Sequence, residues 1–171
     1  MNAAVETGLW QLDAAASTVA VRHRTMWGMV TVRGVFAAVA GRGEVHADGS
    51  ATGTLTLDVT SLDTKNAKRD AHLRSADFFD AAGHPEITFA AQEARLGDGD
   101  RVDVVGRLTV RGTDKPLTLT ARLVEAGAEQ VTLESEFTVD RGEFGMTWNR
   151  LGMMGGTTAV VATLRFTRAA A

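Results

Sequence analysis

The chain has 171 residues, of which 44% are hydrophobic and 23% are charged, and this composition is typical of a globular domain rather than a disordered tail. Its 18 Lys and Arg residues against 21 Asp and Glu residues give a formal net charge of −3, which argues against binding nucleic acid through its phosphates. Because cysteine is absent, disulfides, a thiolate nucleophile and thiol-ligated metal centres are excluded.

The first half of the chain contains short runs in which apolar and polar residues alternate. A period of two is typical of β-strands that bury one face. Glycine is frequent, with 18 residues, and proline is rare, with 2, so turns that contain glycine separate the runs. The predicted strands lie at 9–12, 18–24, 30–40, 54–59 and 86–89.

A helix is predicted where the alternation stops, between the fourth and fifth of these strands. Residues 63–80 carry four cationic and four anionic side chains and few apolar ones. Asp63 or Thr64 can cap a helix that runs over about 64–75, and the spacing of Asp70 and Arg74 predicts a surface ion pair. The adjacent Phe78 and Phe79, which follow this helix, are expected to form a hydrophobic plug.

The second half alternates more regularly than the first. Its predicted strands lie at 102–111, 117–123, 131–139 and 160–166, and short polar or glycine-containing pieces suited to hairpins separate most of them. About eight strands, plus the short first one, must bury their apolar faces by closing into a barrel or by forming a sandwich. Small residues on the inward faces, such as Gly106 and Ala121, leave open whether the interior is filled or hollow.

The long segment after the strand at 131–139 combines glycine with large apolar residues. Residues 142–156 contain Phe144, Met146, Trp148, Leu151, Met153 and Met154. Such a segment is expected to pack as a lid over one end of a barrel, or to act as a gate for an apolar ligand.

The polar residues form no recognisable catalytic or metal-binding motif. The four histidines are scattered, with no pair at the spacing of a metal site on one element. Glu134 and Glu136 alternate with apolar residues and so belong to the outer face, and no nucleophile-elbow or phosphate-loop motif is present. We therefore predict no catalytic residue, no metal and no cofactor. A structural role is favoured for His72, while an inward-facing His23 keeps an enzymatic alternative open.

Residues 1–9 contain no basic side chain and no long apolar run, so they resemble neither a secretory signal nor a transit peptide. No segment approaches the roughly 18 consecutive apolar residues of a membrane-spanning helix. No change of composition marks a linker. We therefore predict a single domain over residues 1–171, in a cytoplasmic protein that does not span a membrane.

A series of short motifs runs through the chain in a definite order. They are Trp10-x-x-Asp13, Ser17-x-Val19-x-Val21-x-His23, Gly34-x-Phe36, Ser61-Leu62-Asp63-Thr64, the stretch Arg69–Asp80, Pro85-x-Ile87-x-Phe89, Gly106-x-Leu108-Thr109-x-Arg111-Gly112-Thr113 and Arg141-x-x-Phe144-Gly145-Met146. The series resembles the YceI-like polyisoprenoid-binding family from about Trp10 to Phe166. Arg69–Asp80 followed by Pro-x-Ile-x-Phe is its most specific part.

The resemblance implies an all-β fold, a lipocalin-like antiparallel barrel of about eight strands with one short helix. It also implies that the barrel holds a polyisoprenoid or another long-chain lipid for carriage, storage or sequestration, without catalysis, and that the protein can form a homodimer. The expected channel lining is Val19, Val21, Val32, Phe36, Leu57, Ile87, Phe89, Val104, Leu108, Leu119, Leu133, Phe137, Val160 and Leu164. Phe78, Phe79, Phe144 and Trp148 are expected near the openings, and head-group contacts near His72 and Arg141.

Two alternatives to a lipid carrier stay open from the sequence. One is an enzyme that acts on a lipid-like substrate in the same cavity and uses His72 or His23 as a base. The other is a barrel without a ligand, plugged by its own side chains, that dimerises or binds a partner protein.

Overall fold

Antiparallel β-strands make up most of the chain in the computed structural model, which describes residues 5–169. The strands are β1 (Gly8–Leu12), β2 (Thr18–Thr25), β3 (Val30–Phe36), β4 (Val39–Val45), β5 (Ala51–Asp58), β6 (Leu62–Asp63), β7 (Glu86–Leu96), β8 (Arg101–Val110), β9 (Thr113–Ala126), β10 (Gln130–Asp140) and β11 (Thr157–Arg168). The helix α1 spans Ala67–Arg74. In the described part of the chain, no helix is both long enough and apolar enough to cross a membrane.

Eight of the strands close into a barrel. Their order is β1, β4, β5, β7, β8, β9, β10 and β11, and every neighbouring pair is antiparallel. The short strand β1 completes the ring, since Trp10 pairs with Gly43 of β4 on one side and with Arg168 of β11 on the other. The predicted antiparallel barrel is confirmed, and a sandwich is excluded.

The strands β2, β3 and β6 extend the wall at one end of the barrel. β2 lies end to end with β1 along the same edge of β11, where Thr163 pairs with Thr18 and Phe166 pairs with Leu12. β3 then pairs with β2, and β6 pairs with β3. A Cβ atom at Gly34 of β3 would lie 2.9 Å from the Thr64 side chain, so glycine permits the close approach of the chain around β6.

The two ends of the barrel differ in construction. At the hairpin end, short turns join β4 to β5, β7 to β8 and β9 to β10. At the loop end lie α1, the segment 75–85, the segment 141–156 and the β2–β3 turn. β9 and β10 pair only between 121–126 and 131–135, so towards the loop end they do not pair with each other, although each stays paired with its other neighbour.

Several predicted boundaries were wrong: the strand at 86–89 continues to Leu96, the strand at 54–59 ends at Asp58, and two larger differences concern residues 30–40 and the start of the helix. Residues 30–40 form two elements instead of one strand, because the backbone at Ala37 and Ala38 turns to pair with Ser61 and Asp58. The second element, β4, extends to Val45, and the glycines in it conceal its alternation.

The helix begins at Ala67 rather than at residue 64. Its cap is Asn66, whose side chain accepts a hydrogen bond from the Arg69 backbone N–H at 3.0 Å. Lys65, at φ 64°, has a left-handed backbone conformation that a helix cannot include. The Asp63 side chain instead accepts a bond from the Lys65 N–H at 2.8 Å.

Buried side chains form two clusters, one towards each end of the barrel. The cluster at the hairpin end is built around Trp10, Val102, Val104, Leu123 and Val131. The larger cluster at the loop end includes Phe36, Val59, Phe78, Phe144 and Met146. The buried side chains therefore form two separate groups rather than one continuous core.

Replacing Gly106 with alanine tests the packing of β8 against β7. An added Cβ would lie 2.4 Å from the Ala90 carbonyl oxygen and 2.6 Å from Cζ of Phe89, too close for either to stay in place. We expect Gly106→Ala to lower the free energy of unfolding by about 2 kcal/mol in urea denaturation. Gly127→Ala is the control, since its Cβ would meet nothing nearer than 3.5 Å. Equal effects of the two variants would contradict the tight contact.

Candidate ligand-binding cavity

A cavity of about 530 Å³ lies inside the barrel. Most of its wall consists of apolar side chains from the inward faces of the strands. In β10 the inward residues Leu133, Phe137 and Val139 are only partly buried, although they point to the interior, because they face this space. The barrel is therefore hollow, and its volume lies in the range of small-molecule binding sites, roughly 300–1,000 Å³.

Most of the residues expected at the site border this cavity. They are Val19, Val21, Phe36, Leu57, Phe79, Ile87, Phe89, Val104, Leu108, Leu119, Leu133, Phe137, Arg141, Phe144, Val160 and Leu164. The expected set omitted other apolar residues of the wall: Trp10, Leu55, Val102, Val110, Leu117, Ala121, Leu123, Val131, Val139, Met146, Ala162 and Phe166. The same two-residue alternation identifies most of these omitted residues as inward-facing.

A second cavity of about 230 Å³, called the vestibule below, lies at the loop end beside α1. The remaining expected residues, Val32, His72, Phe78 and Trp148, border the vestibule instead of the main cavity. Val32 was expected in the channel, but it borders the vestibule, because it lies near the end of β3 that adjoins the β2–β3 turn, whereas Phe36 at the other end of the strand borders the main cavity. Both cavities border Val21, Phe79, Arg141, Met146 and Thr158, which therefore separate them.

His72 reaches the vestibule because the preceding residues fix α1 to Thr64. Asp70 accepts bonds from the Thr64 hydroxyl and, at 3.0 Å, from its N–H. Arg69 donates from Nε to the same hydroxyl at 2.8 Å and from Nη2 to the Thr64 carbonyl at 2.6 Å. The predicted surface ion pair of Asp70 with Arg74 is wrong. The Asp70 carboxylate is buried instead, and it accepts the hydrogen bonds from Thr64.

The His72 ring lies in an aromatic and polar setting. Its Nε2 is 2.8 Å from Oδ2 of Asp77. Its ring centroid is 5.0 Å from that of Phe78 and 4.6 Å from that of Trp148, and both contacts are edge-to-face. His72 thus packs into the vestibule wall, which agrees with the structural role favoured from the sequence.

Arg141 fastens the segment 141–156 across the loop end. Its Nη1 donates to the carbonyls of Met146 and Trp148, both at 2.7 Å, and its Nε donates to that of Gly155 at 3.1 Å. Only 7% of Arg141 is exposed, and no carboxylate of the described residues forms an ion pair with it. Burial lowers the pKa of its guanidinium, and Asp140 opposes that shift. Arg141 therefore places positive charge at the boundary of the two cavities.

His23 is the second histidine of the vestibule. Its Nδ1 lies 2.7 Å from Oγ1 of Thr158, and its Nε2 is buried with no hydrogen bond of good geometry in the described part of the chain. Burial lowers the pKa of His23, and the charge of Arg141 lowers it further, while the Gly155 carbonyl opposes both effects. His23 is therefore kept neutral at neutral pH.

The chemistry of the two cavities is unequal. Apolar groups dominate the wall of the main cavity, and the vestibule gathers two histidines, two arginines and hydroxyls beside it. Within residues 5–169, no group of three His, Asp or Glu side chains is arranged to hold a metal ion. The geometry suits a molecule that is mainly apolar and has one polar end.

Known proteins resemble this chain in sequence. The family model of the YceI-like domain matches residues 10–166. Protein YceI of Escherichia coli O157:H7 is 47% identical over 73 residues, which are 43% of this chain and 38% of that protein. A UPF0312 protein of Pectobacterium atrosepticum is 37% identical over 98 residues, 54% of this chain and 50% of its own length. The chain thus aligns with half or less of the length of these curated relatives.

Solved structures resemble it in fold at low sequence identity. BcnA of Burkholderia cenocepacia superposes with a TM-score of 0.81 at 20% identity, covering 90% of this chain and 98% of BcnA. A polyisoprenoid binding domain from Saccharophagus degradans superposes with a TM-score of 0.75 at 16% identity, covering 96% of this chain and all of that domain. A YCEI protein of Campylobacter jejuni superposes at 0.74 with 19% identity over 83% of this chain and 88% of its own. These similarities show a shared fold.

Replacing Arg141 with methionine should unfasten the loop end. The variant leaves three carbonyls without their charged donor, so we expect the free energy of unfolding to fall by about 3 kcal/mol in urea denaturation. Arg111→Gln serves as the control, because Arg111 is only half-buried and donates one bond, at 3.0 Å, to the Gly145 carbonyl of the same segment. A loss in Arg141→Met no larger than in this control would contradict the fastening role.

Acidification should destabilise the protein through His23. The pKa of His23 in the folded protein is below the ordinary histidine value of 6.5, so below that pH the unfolded chain binds more protons than the folded one. Stability is therefore expected to be full above pH 6.5 and to fall as the pH drops below it. In His23→Gln the melting temperature should fall less steeply with acidification. His46→Gln, which removes a histidine near the hairpin end, is the control and should leave the fall unchanged. If both variants reduced the pH dependence of the melting temperature equally, His23 in the vestibule would not be the cause of that dependence.

Proposed function

The chain belongs to the YceI-like family, and on that premise we propose that it binds a long-chain apolar lipid, a polyisoprenoid or a similar molecule, inside its barrel. The proposed role is carriage, storage or sequestration of this lipid. The family likeness expected from the Arg69–Asp80 motif is confirmed, whereas the identity of the ligand is a proposal.

The hollow apolar interior is the observation that carries the proposal. The chain has enough inward-facing leucine, valine and phenylalanine to fill much of a barrel, yet a cavity of about 530 Å³ remains. Sequestering a hydrocarbon chain there yields roughly 0.8 kcal/mol per buried methylene group. Ordering a flexible chain offsets part of this gain. A long prenyl or acyl chain fits these conditions, because it needs apolar surface and few hydrogen bonds.

We assign the polar end of the ligand to the vestibule. His23, His72 and Arg141 all border this space, and Arg141 also borders the main cavity. Arg141 carries a positive charge with no carboxylate partner in the described part of the chain, so an oxygen-bearing head group beside it is favoured. This arrangement supports head-group contacts at His72 and Arg141, and it adds His23 to them.

Catalysis has one specific feature in its favour. The contact between His23 and the Thr158 hydroxyl joins a neutral imidazole to a possible nucleophile at the boundary of the cavities. A nucleophile and base of this kind normally need a third group that orients the base, and His23 has no carboxylate partner within residues 5–169. We therefore propose a binding function rather than an enzymatic one. A cytoplasmic location and homodimer formation stay predictions from the sequence.

Organic extraction of the purified protein followed by mass spectrometry tests the proposal. We expect one apolar chain per protein molecule, recovered intact after prolonged incubation. Conversion of the recovered lipid during incubation, lost in His23→Ala, would favour the enzyme. Failure to recover a lipid, together with failure to take up an added prenyl alcohol, would contradict lipid binding.

A bulky residue inside the cavity should displace the ligand. Leu108→Trp places an indole where the apolar chain is proposed to lie, and excluding about two methylene groups lowers affinity roughly tenfold. The measurement is uptake of a radiolabelled prenyl alcohol, with the melting temperature of the ligand-free protein recorded beside it. Val105→Trp, on the outer face of the same strand, is the matched control. Equal uptake by the two variants would show that Leu108 does not line the ligand site.

A further inference from the structure

Five large apolar side chains are exposed together at the loop end, and they are called the apolar tip below. Four belong to the β2–β3 turn and its edge: Met26, Trp27, Met29 and Val30. The fifth is Leu151 in the neighbouring segment. Trp27 is 64% exposed, Met29 79% and Leu151 76%. Single exposed apolar residues are ordinary, but a cluster of this size marks an interaction surface.

Backbone hydrogen bonds hold the two parts of the tip side by side. The Trp27 N–H donates to the Met153 carbonyl at 3.0 Å. The Gly155 N–H donates to the Arg24 carbonyl, also at 3.0 Å. Leu151 therefore lies beside the β2–β3 turn as part of one surface.

The turn itself is an unusual place for these residues. Met26 has φ 53° and Trp27 has φ 54°, and the Gly28 N–H closes the turn on the Thr25 carbonyl at 3.1 Å. Two left-handed central residues define a turn that asparagine and glycine normally occupy. Methionine and tryptophan hold this conformation at a cost in stability, which is expected where the exposed side chains themselves have a use.

The charge around the tip is positive, although the whole chain carries a net charge of −3. Residues 18–36 and 144–158 contain no Asp or Glu. Arg22 and Arg33 lie directly opposite each other on the outer face of β2 and β3, where like charges are unfavourable. Arg22 has an ion pair with Glu136, whereas Arg24 and Arg33 form none with any described residue. An anionic surface complements this arrangement.

The tip also adjoins the vestibule. Thr25 at the base of the turn, Val32 of β3 and Met154 of the neighbouring segment all border the vestibule. A surface that receives the tip therefore also lies beside the vestibule.

We propose that the apolar tip docks on the surface of an anionic lipid bilayer. Trp27, Met29 and Leu151 insert at the level of the head groups, where tryptophan is favoured, while Arg24 and Arg33 face the lipid phosphates. The inference deepens the proposed function and rests on it, because docking lets an apolar ligand reach the cavity without crossing water.

Sedimentation with phosphatidylcholine vesicles, with and without phosphatidylglycerol, tests the docking. We expect binding that is stronger with phosphatidylglycerol and that falls roughly tenfold or more in Trp27→Ala with Met29→Ser. Phosphatidylglycerol should raise the vesicle affinity of the unmodified protein. In the double variant Arg24→Gln with Arg33→Gln, this gain in affinity should be smaller by roughly fivefold for each charge removed. The control is Val105→Ser with Val124→Ser, which removes two exposed apolar residues of β8 and β9.

Tryptophan fluorescence locates the insertion. Vesicles should shift the emission of the protein to shorter wavelength through Trp27, because Trp10 is only 3% exposed and Trp148 is already half-buried in the vestibule wall. Trp27→Phe should keep most of the binding and lose the shift. The proposal would be overturned if the protein did not bind vesicles, or if the control variant lost as much vesicle binding as the variant of Trp27 and Met29. A dimer in solution that buries Trp27 and dissociates in Trp27→Ala would overturn it as well.

Uptake of a prenyl alcohol in vesicle-free buffer separates this inference from the proposed function. Tip variants that take up the alcohol normally but fail to bind vesicles support docking as a separate step. Vesicle binding by a protein that takes up no alcohol would reject the proposed function while leaving the docking surface in place.

Discussion

Closure of the sheet by β1 is the constraint on which the rest of the molecule depends. One short strand pairs with β4 and with β11, and this contact turns eight half-buried strands into a tube. Once the tube is closed, the inward side chains alone decide whether it is solid or hollow. They pack in two clusters, and members of both clusters border the cavity that stays open between the strands. An apolar ligand that fills this space would add to the stability of the fold as well as being carried by it.

The polar groups that border the vestibule are concentrated at the loop end of the hollow barrel. Arg141 fastens the segment 141–156 by three carbonyls, and Asp70 with Arg69 fastens α1 to Thr64. Both arrangements serve the loop end, and together they position the residues of the vestibule. The neutral His23 lies between them. The contacts that stabilise this end therefore also bring charged and hydrogen-bonding groups to the vestibule, whereas the wall of the main cavity is mostly apolar.

The loop end also combines features that act against stability. Three features of this end each lower the stability of the fold. They are the left-handed turn at Met26 and Trp27, the two arginines that lie opposite each other on β2 and β3, and a buried guanidinium without a carboxylate partner in the described chain. The hairpin end is built of short turns over a packed cluster. This contrast is expected when one end of a barrel serves for folding and the other for contact with ligand and surroundings.

The sequence by itself determined the fold class, most of the strands and the inward face of each, because a period of two assigns every residue of a half-buried strand to one side. It identified most of the cavity wall for the same reason. Only the tertiary structure decided that the barrel is hollow, that Val32 belongs to the vestibule, that Asp70 binds Thr64 instead of Arg74, and that Trp27 adjoins the segment of Leu151. These facts depend on contacts between residues far apart in the chain or on space left unfilled, and local alternation records neither.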